Sequence, residues 1–246
     1  MKIPVIVTTA RTGATPIGYD LSHIAETYYG SKNDLGFLFN VNNIAPYKWK
    51  LYENDGKLTL QRLSNKRKTK YWKGTKEEER TARLEVLKQF PQHTFRVLPE
   101  DVQQPDVWDY IVQNYEPLFL ERRNKLRQFI SYCGAVQNAG EESIESIKYD
   151  ATLFDDFVTS LESYYQLKAS VPGAKTIYYD QWQTNHKILF KMLGKEPFDI
   201  IQDHDLIKPP NYNGDIWSRI SNADEFEADK EQLIRWLSHI DSKYKK

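Results

Sequence analysis

Residues 118–131 have the sequence LFLERRNKLRQFIS, in which an apolar run passes directly into a basic segment. The first part predicts a buried strand and the second a helix, and α/β proteins bind anionic ligands where strand ends meet helix starts. Arg123, Arg127 and Ser131 are spaced i, i+4 and i+8, so a helix that begins near Arg123 would align two guanidinium groups and a hydroxyl. These residues predict one wall of a phosphate or sulfate site, although a solvent-exposed basic helix face has the same pattern.

A second candidate anion site lies in residues 3–18, whose sequence is IPVIVTTARTGATPIG. A β-branched run is followed by a turn of small residues, and apolar residues then recur at helical spacing through Ile17, Leu21 and Ile24. The pattern predicts a strand, a phosphate loop and a helix, in which Gly13 and Ala14 allow close approach of the backbone to an anion. An ordinary strand-to-helix turn is the alternative. The lysine-containing Walker A pattern is absent from this loop, which disfavours a kinase or nucleoside triphosphatase.

The rest of the chain alternates between predicted strands and helices, which is typical of an α/β fold with a mostly parallel sheet. A β-hairpin is predicted around Asn54-Asp55-Gly56, between two segments with alternating faces. The remaining elements are predicted strands at 93–98, 117–121 and 175–179, and predicted helices at 77–89, 107–115, 151–169, 185–193 and 225–244.

Length and composition predict one domain over residues 1–246, because 246 residues with 40% apolar content can bury one substantial core. The 34 basic and 34 acidic residues cancel, so no overall field would recruit nucleic acid or an anionic membrane. The single cysteine, Cys133, excludes an internal disulfide and is expected to be a buried thiol. No apolar run is long enough to span a membrane and no leader is evident, so we expect a cytoplasmic protein.

Residues 42–80 are expected to form a hairpin and basic insertion, and they contain the basic, aromatic segment KRKTKYWK at 66–73. Such a segment can bind a nucleic acid or a sulfated glycan. The alternative is an exposed loop whose charge is balanced by the acidic residues 77–79 at the start of the next helix. The insertion is a candidate lid on the acceptor side of a site.

Together, Arg11-Thr12-Gly13-Ala14-Thr15 and the pair Arg123 and Ser131 resemble the sulfotransferases that use 3′-phosphoadenosine 5′-phosphosulfate (PAPS). The sequence of residues 122–131 is most similar to the bacterial branch with the trehalose and Nod-factor sulfotransferases. Residues 176–180 resemble a later strand of the family that ends in a Tyr-Glu/Asp step. The resemblance covers residues 1 to about 200, apart from 42–80. It implies a P-loop-like three-layer fold and transfer of a sulfuryl group from PAPS to a hydroxyl or amine of a small-molecule or carbohydrate acceptor.

The resemblance also implies roles for particular residues. The first loop would hold the 5′-phosphosulfate, and Arg123 with Ser131 would hold the 3′-phosphate. A late loop at about 202–221 would cover the nucleotide, with Lys208 and Arg219 as clamps and Trp217 or Tyr212 against the adenine. No metal is expected, since the five histidines are scattered without ligand spacing. The product would be adenosine 3′,5′-bisphosphate.

The catalytic base is not evident. Relatives have a glutamate in a Glu-Tyr-Phe-like step after the first helix, whereas the corresponding step here is Phe37-Leu38-Phe39. Glu26, Asp34 and His93 are the possible substitutes. We expect Asp34, which lies closest in sequence, or His93, whose ordinary pKa is near neutrality, to act with Arg11 in catalysis. A noncatalytic PAPS- or glycan-binding module is the main alternative, and a P-loop nucleotide kinase is a weaker one.

Overall fold

The computed structural model describes residues 2–26, 49–54, 57–62, 94–102, 105–137, 146–197 and 215–244, together with Leu84, Leu87 and Lys88. Several predictions lie outside these ranges. They concern Asp34, the step at 37–39, the basic segment at 66–73, His93, Lys208 and Tyr212.

A four-stranded parallel sheet forms the centre of the fold. The strands of the described part are β1 (Ile3–Val7), β2 (Trp49–Asn54), β3 (Lys57–Arg62), β4 (Arg96–Val97), β5 (Tyr115–Glu121) and β6 (Lys175–Tyr178). The central sheet has the order β4-β1-β5-β6, and Ile6 is in register with Arg96 on one side and Leu118 on the other. Strands β2 and β3 form a separate antiparallel pair in which Trp49 opposes Arg62.

The helices of the described part are α1 (Ala14–Ala25), α2 (Pro105–Asn114), α3 (Lys125–Gln137), α4 (Phe154–Ala169), α5 (Tyr179–Thr184), α6 (Ile188–Leu193) and α7 (Ala223–Tyr244). Short 3₁₀ helices occupy Pro99–Val102, Ala151–Leu153 and Trp217–Arg219. None of the helices described is long and apolar enough to cross a membrane.

Helices cover both faces of the central sheet because successive strand residues point to opposite faces. Ile6, Leu118, Leu120 and Ile177 pack with apolar residues of α1, α5 and α6. On the opposite face, Val5, Val7 and Phe119 pack with residues of α2, α4 and α7. The prediction of an α/β fold with a parallel sheet between layers of helices is therefore confirmed.

A third apolar cluster joins α3 to α4, α7 and the segment around Ile216 and Ile220. Cys133 lies in this cluster and is fully buried with a free thiol, as its sequence context predicts. Burial raises the pKa of this thiol to about 11, so it stays protonated and unreactive near neutral pH.

Two predicted boundaries are wrong in ways that affect the site. Helix α3 begins at Lys125 and not near Arg123, because the side chain of Asn124 accepts a hydrogen bond of 2.8 Å from the backbone N–H of Arg127 and caps the helix. Arg123 therefore precedes the helix and does not share a helical face with Arg127 and Ser131. Strand β6 ends at Tyr178, and Tyr179 already begins α5.

The strand order places a crevice between β1 and β5. The chain leaves β1 toward β4 on one side, whereas it leaves β5 toward β6 on the other. In parallel sheets, ligands bind outside the carboxyl ends of two strands whose connections diverge in this way. The two candidate anion-binding segments of the sequence follow these two strands.

Candidate anion-binding site

The first loop, residues 8–13, runs from the end of β1 to the start of α1. Its backbone is left-handed at two positions, with φ of 63° at Arg11 and 88° at Gly13. Left-handed backbone at a residue other than glycine is uncommon and occurs often at functional sites. A Cβ atom built on Gly13 would lie 2.1 Å from Cε2 of Tyr179, so glycine is required by contact with the protein itself.

The Thr12 hydroxyl bonds within the first loop. The Thr12 hydroxyl donates to the carbonyl of Thr9 at 3.0 Å and is hydrogen-bonded to the hydroxyl of Thr8. All three threonines are buried. We therefore assign the Thr12 side chain to holding the shape of the loop, which leaves its backbone as the part that could face a ligand.

The N-terminus of α1 is suited to an anion. Gly13 is the N-cap and makes no side-chain capping bond, and the first turn contains no acidic residue. The first N–H groups of a helix have no partner within the helix, and the helix dipole makes this end positive. Ala14 is buried at this end, and Thr15 follows it in the helix.

The second element is the turn between β5 and α3. Arg123 is exposed, and its Cζ lies 4.7 Å from the centre of the Tyr178 ring, while its backbone N–H donates to Asp180 Oδ2 at 3.3 Å. Arg127 is half-buried, and its Nε has no hydrogen-bond partner within the described ranges. Two guanidinium groups thus flank the start of α3, one of them before the helix and one within it.

The two elements meet through side chains that are 120 residues apart. Arg11 Nε donates to Ser131 Oγ at 3.1 Å, and Arg122 Nη1 donates to the carbonyl oxygen of Arg11 at 3.3 Å. Ser131, which the sequence paired with Arg123, therefore bonds to the first loop. The structure brings together the two motifs that carry the family resemblance.

A buried glutamine makes the closest link between these elements. Gln128 is fully buried, and its Nε2 donates to Thr9 Oγ1 at 2.8 Å and to the carbonyl oxygen of Ala10 at 2.7 Å. Sequence reasoning missed this residue. A glutamine next to basic residues in a helix resembles a solvated side chain, and only its position three residues before Ser131, on the same face, indicates otherwise.

Arg122 and Tyr179 are also missing from the sequence-based site. Arg122 is half-buried, and its Cζ lies 5.4 Å from the centre of the Tyr179 ring, which in turn packs against Gly13. Their neighbours Arg123 and Tyr178 form a similar stack. The Arg-Arg and Tyr-Tyr pairs of the sequence thus correspond to two cation–aromatic contacts between the turn that follows β5 and the junction of β6 with α5.

Hydrogen bonds between Asp20 and two residues in and just after α5 hold Tyr179 in place. Trp182 Nε1 donates to Asp20 Oδ2 at 2.8 Å, and His186 Nδ1 lies 3.1 Å from the same oxygen. Asp20 is a buried residue of α1. These bonds join α5 to the helix that follows the first loop, so α1 and α5 hold Gly13 and Tyr179 against each other.

The charges around the crevice are mainly positive, although the whole chain is neutral. Arg11, Arg122, Arg123 and Arg127 contribute four guanidinium groups. The neighbouring Glu121 is paired with Lys168 at 2.6 Å, so its negative charge is compensated. Such an arrangement can bind phosphate or sulfate by charge-assisted hydrogen bonds.

Glu26 lies away from this crevice, and Arg219 and Trp217 contact other parts of the chain. Glu26 is exposed at the opposite end of the 12-residue helix α1, roughly 18 Å along its axis, and lies 3.9 Å from Lys195. The carbonyl of Arg219 accepts from the N–H of Ile147 at 2.8 Å, in a segment that packs with α3 and α7. One face of Trp217 stacks on Phe226 with ring centres 5.7 Å apart.

The described residues contain no group of three or more metal-ligating His, Cys, Asp or Glu side chains. The groups that could contact a ligand in the crevice include backbone N–H groups, arginine side chains and the Ser131 hydroxyl. Comparison with models of known protein families and with curated proteins finds no match to this chain.

Proposed function

We propose that the protein is a sulfotransferase that moves a sulfuryl group from PAPS to a hydroxyl or amine of a small-molecule or carbohydrate acceptor. The observation that carries the proposal is the hydrogen bond between Arg11 and Ser131, because it joins the two motifs that would hold the two ends of the cofactor. The proposal includes a P-loop-like scaffold for the sheet and helices, with residues 42–80 as an insertion.

The residues of the crevice fit the charges of PAPS. The uncapped start of α1 and the Arg11 guanidinium would hold the 5′-phosphosulfate, and Arg123, Arg127 and Ser131 the 3′-phosphate. A bisphosphate with a sulfuryl group carries several negative charges, so burying it requires several cations. The four arginines around this crevice would supply these cations.

PAPS supplies a sulfuryl group on a good leaving group, and the remaining requirements are positioning, charge stabilisation and removal of a proton from the acceptor. The loop N–H groups and Arg11 would stabilise the charge that develops on the departing phosphate. Asp34 or His93 remains our proposed base for the acceptor proton. Glu26 lies at the far end of α1 from the first loop, which argues against it as the base.

A noncatalytic PAPS- or adenosine 3′,5′-bisphosphate-binding module is the second candidate. It is favoured by the sequence Phe37-Leu38-Phe39, where the family has a catalytic glutamate, and by the remote position of Glu26. Binding without turnover would distinguish it from the enzyme. A nucleotide kinase fits less well, since the first loop has no lysine.

The test begins with calorimetric titration of adenosine 3′,5′-bisphosphate and of AMP. Charge-assisted hydrogen bonds contribute roughly 1.5–3 kcal/mol each, so Arg123→Ala should weaken bisphosphate binding by ~10- to 100-fold. Arg235→Ala is the matched control, because Arg235 is a remote arginine on the exposed face of α7. Equal affinity of the parent for the two nucleotides would refute the assignment of the 3′-phosphate site.

Catalysis is tested separately by an acceptor screen with labelled PAPS. Removing the general base should lower turnover by ~10²- to 10⁴-fold while nucleotide affinity is retained. We expect this result for either Asp34→Ala or His93→Ala. Bisphosphate binding without transfer to any acceptor would instead support the binding module.

A further inference from the structure

Gln128 holds the first loop and α3 at a fixed spacing. Its amide group is fully buried, and its two N–H groups reach Thr9 Oγ1 and the carbonyl oxygen of Ala10. The carbonyl of Ala10 can only accept a hydrogen bond, so the NH₂ group and not the oxygen of the amide must face the loop. The orientation of this side chain is therefore determined by the loop.

The other end of the amide makes no comparable bond. Gln128 Oε1 is buried and has no hydrogen-bond partner in the part of the chain that the structure describes. Both hydrogen bonds of this amide are thus directed at the loop. Because one end of the Gln128 amide has no partner in the described part of the chain, the hydrogen-bonding needs of the amide do not explain why a glutamine is buried here. Attachment of the first loop to α3 does explain it.

Gln128 and Ser131 lie on the same face of α3, three residues apart. Gln128 bonds to Thr9 and Ala10, and Ser131 bonds to Arg11, so three consecutive loop residues are tied to one helix. The Ser131 contact involves an arginine that the proposed function assigns to the ligand. Gln128 instead bonds to the buried Thr9 hydroxyl and to a backbone carbonyl. A bound anion would not compete for these two hydrogen bonds.

We propose that Gln128 is a positioning residue that sets the distance between the two phosphate half-sites, and that it thereby confers preference for a nucleoside 3′,5′-bisphosphate over a monophosphate. This inference rests on the proposed function, in which the loop holds one phosphate and α3 the other. A monophosphate uses one half-site and is insensitive to the spacing. A bisphosphate spans both, and its affinity depends on their being held at the correct separation before it binds.

The experiment compares Gln128→Met with the parent by calorimetry. Methionine has a similar length and no donor, so it removes both bonds to the loop with little change in volume. The probes are adenosine 3′,5′-bisphosphate, adenosine 3′-monophosphate and AMP. We expect bisphosphate affinity to fall about tenfold while affinity for each monophosphate changes less than about twofold, as for loss of preorganisation.

The matched control is Gln137→Met on the same helix. Gln137 Oε1 accepts from the N–H of Lys148 at 3.0 Å, away from the loop, so this variant should bind all three probes as the parent does. An equal loss for the three probes in Gln128→Met, or an unchanged bisphosphate affinity, would overturn the inference. If the parent protein itself binds the bisphosphate no more tightly than the monophosphates, the proposed function is refuted. This outcome is measured on the parent alone, so it is distinguishable from failure of the inference about Gln128.

A measurement on the parent protein applies even if Gln128→Met does not fold. Amide hydrogen exchange in the first loop of the unliganded parent should already be slow, because Gln128 holds the loop against α3 before a nucleotide binds. Fast exchange there that becomes slow only when adenosine 3′,5′-bisphosphate is added would contradict the inference.

Discussion

Substitution of Gly13 tests the contact between the first loop and α5. In Gly13→Ala the new Cβ meets Tyr179 at 2.1 Å from Cε2, 2.5 Å from Cδ2 and 2.9 Å from Cζ, so the ring has to move. The backbone is also left-handed there, with φ of 88°. Two separate costs are therefore expected, one from backbone conformation and one from displacement of the ring.

The backbone cost can be measured alone at Gly194. This glycine has φ of 63°, and a Cβ built on it meets nothing within 4 Å. Left-handed conformation costs an alanine ~1–2 kcal/mol, so Gly194→Ala should lower the free energy of unfolding by about that amount. Gly13→Ala should cost a further ~1–3 kcal/mol, which is typical of an added methyl group that forces a packed neighbour to shift.

The assay is urea unfolding followed by tryptophan fluorescence in a double-mutant cycle with Tyr179→Ala. In the Tyr179→Ala background the ring is absent, and the cost of Gly13→Ala should fall to that of Gly194→Ala. In thermal melts, each kcal/mol corresponds to roughly 2–4 °C for a chain of this size. An equal cost of Gly13→Ala in both backgrounds would refute the reasoning, since the ring would then move aside freely.

Two further predictions concern buried ionisable groups. Burial raises the pKa of Cys133 to about 11, so between about pH 8.5 and 11 the thiol ionises in the unfolded protein and stays protonated in the folded one. The free energy of unfolding should therefore fall as pH rises, and this group contributes at most about 1.4 kcal/mol per pH unit. Urea midpoints at pH 7, 9 and 10 should therefore decline less steeply in Cys133→Ala than in the parent, and identical slopes would contradict the assignment. Lys168→Met leaves the buried Glu121 carboxylate without its partner at 2.6 Å and should cost about 3 kcal/mol, whereas Lys175→Met in the more exposed pair with Glu116 should cost less than about 1 kcal/mol. Similar unfolding free energies for these two lysine variants would show that burial of Glu121 adds nothing.

The parallel core was predictable because its signals are local. Residues 3–7 and 118–121 are continuous apolar runs, which indicate strands buried on both faces, and the structure places them side by side. The helices at 154–169 and 223–244 show the expected spacing of apolar residues. The helix boundary after Arg123 was also available from the sequence, since Asn124 is a preferred N-cap residue.

The detailed geometry of the site was not predictable in the same way. Close approach of an anion to Gly13 stays a prediction, and the sequence did not indicate that the ring of Tyr179, 166 residues away, occupies the space of its missing Cβ. The Thr12 hydroxyl, in the loop predicted to hold the phosphosulfate, bonds to the carbonyl of Thr9 in the same loop, which the sequence did not indicate. Such contacts depend on which side chains the fold brings together, and residue type and spacing carry no information about partners more than 100 positions apart.

The pairing of β1 has a consequence during protein synthesis. Its partners are added to the chain much later, since Ile6 pairs with Arg96 and Ile3 pairs with Tyr115. Translation proceeds at ~5–20 residues per second, so roughly 5–25 s pass between the synthesis of β1 and the completion of β5. During this time β1 is an apolar strand that does not yet have both of its neighbours. Helix α1 follows at once and packs Ile17 and Leu21 in the same cluster as Ile6. The helix that follows the candidate anion-binding loop can thus shield one face of β1 from aggregation on the ribosome before the central sheet forms.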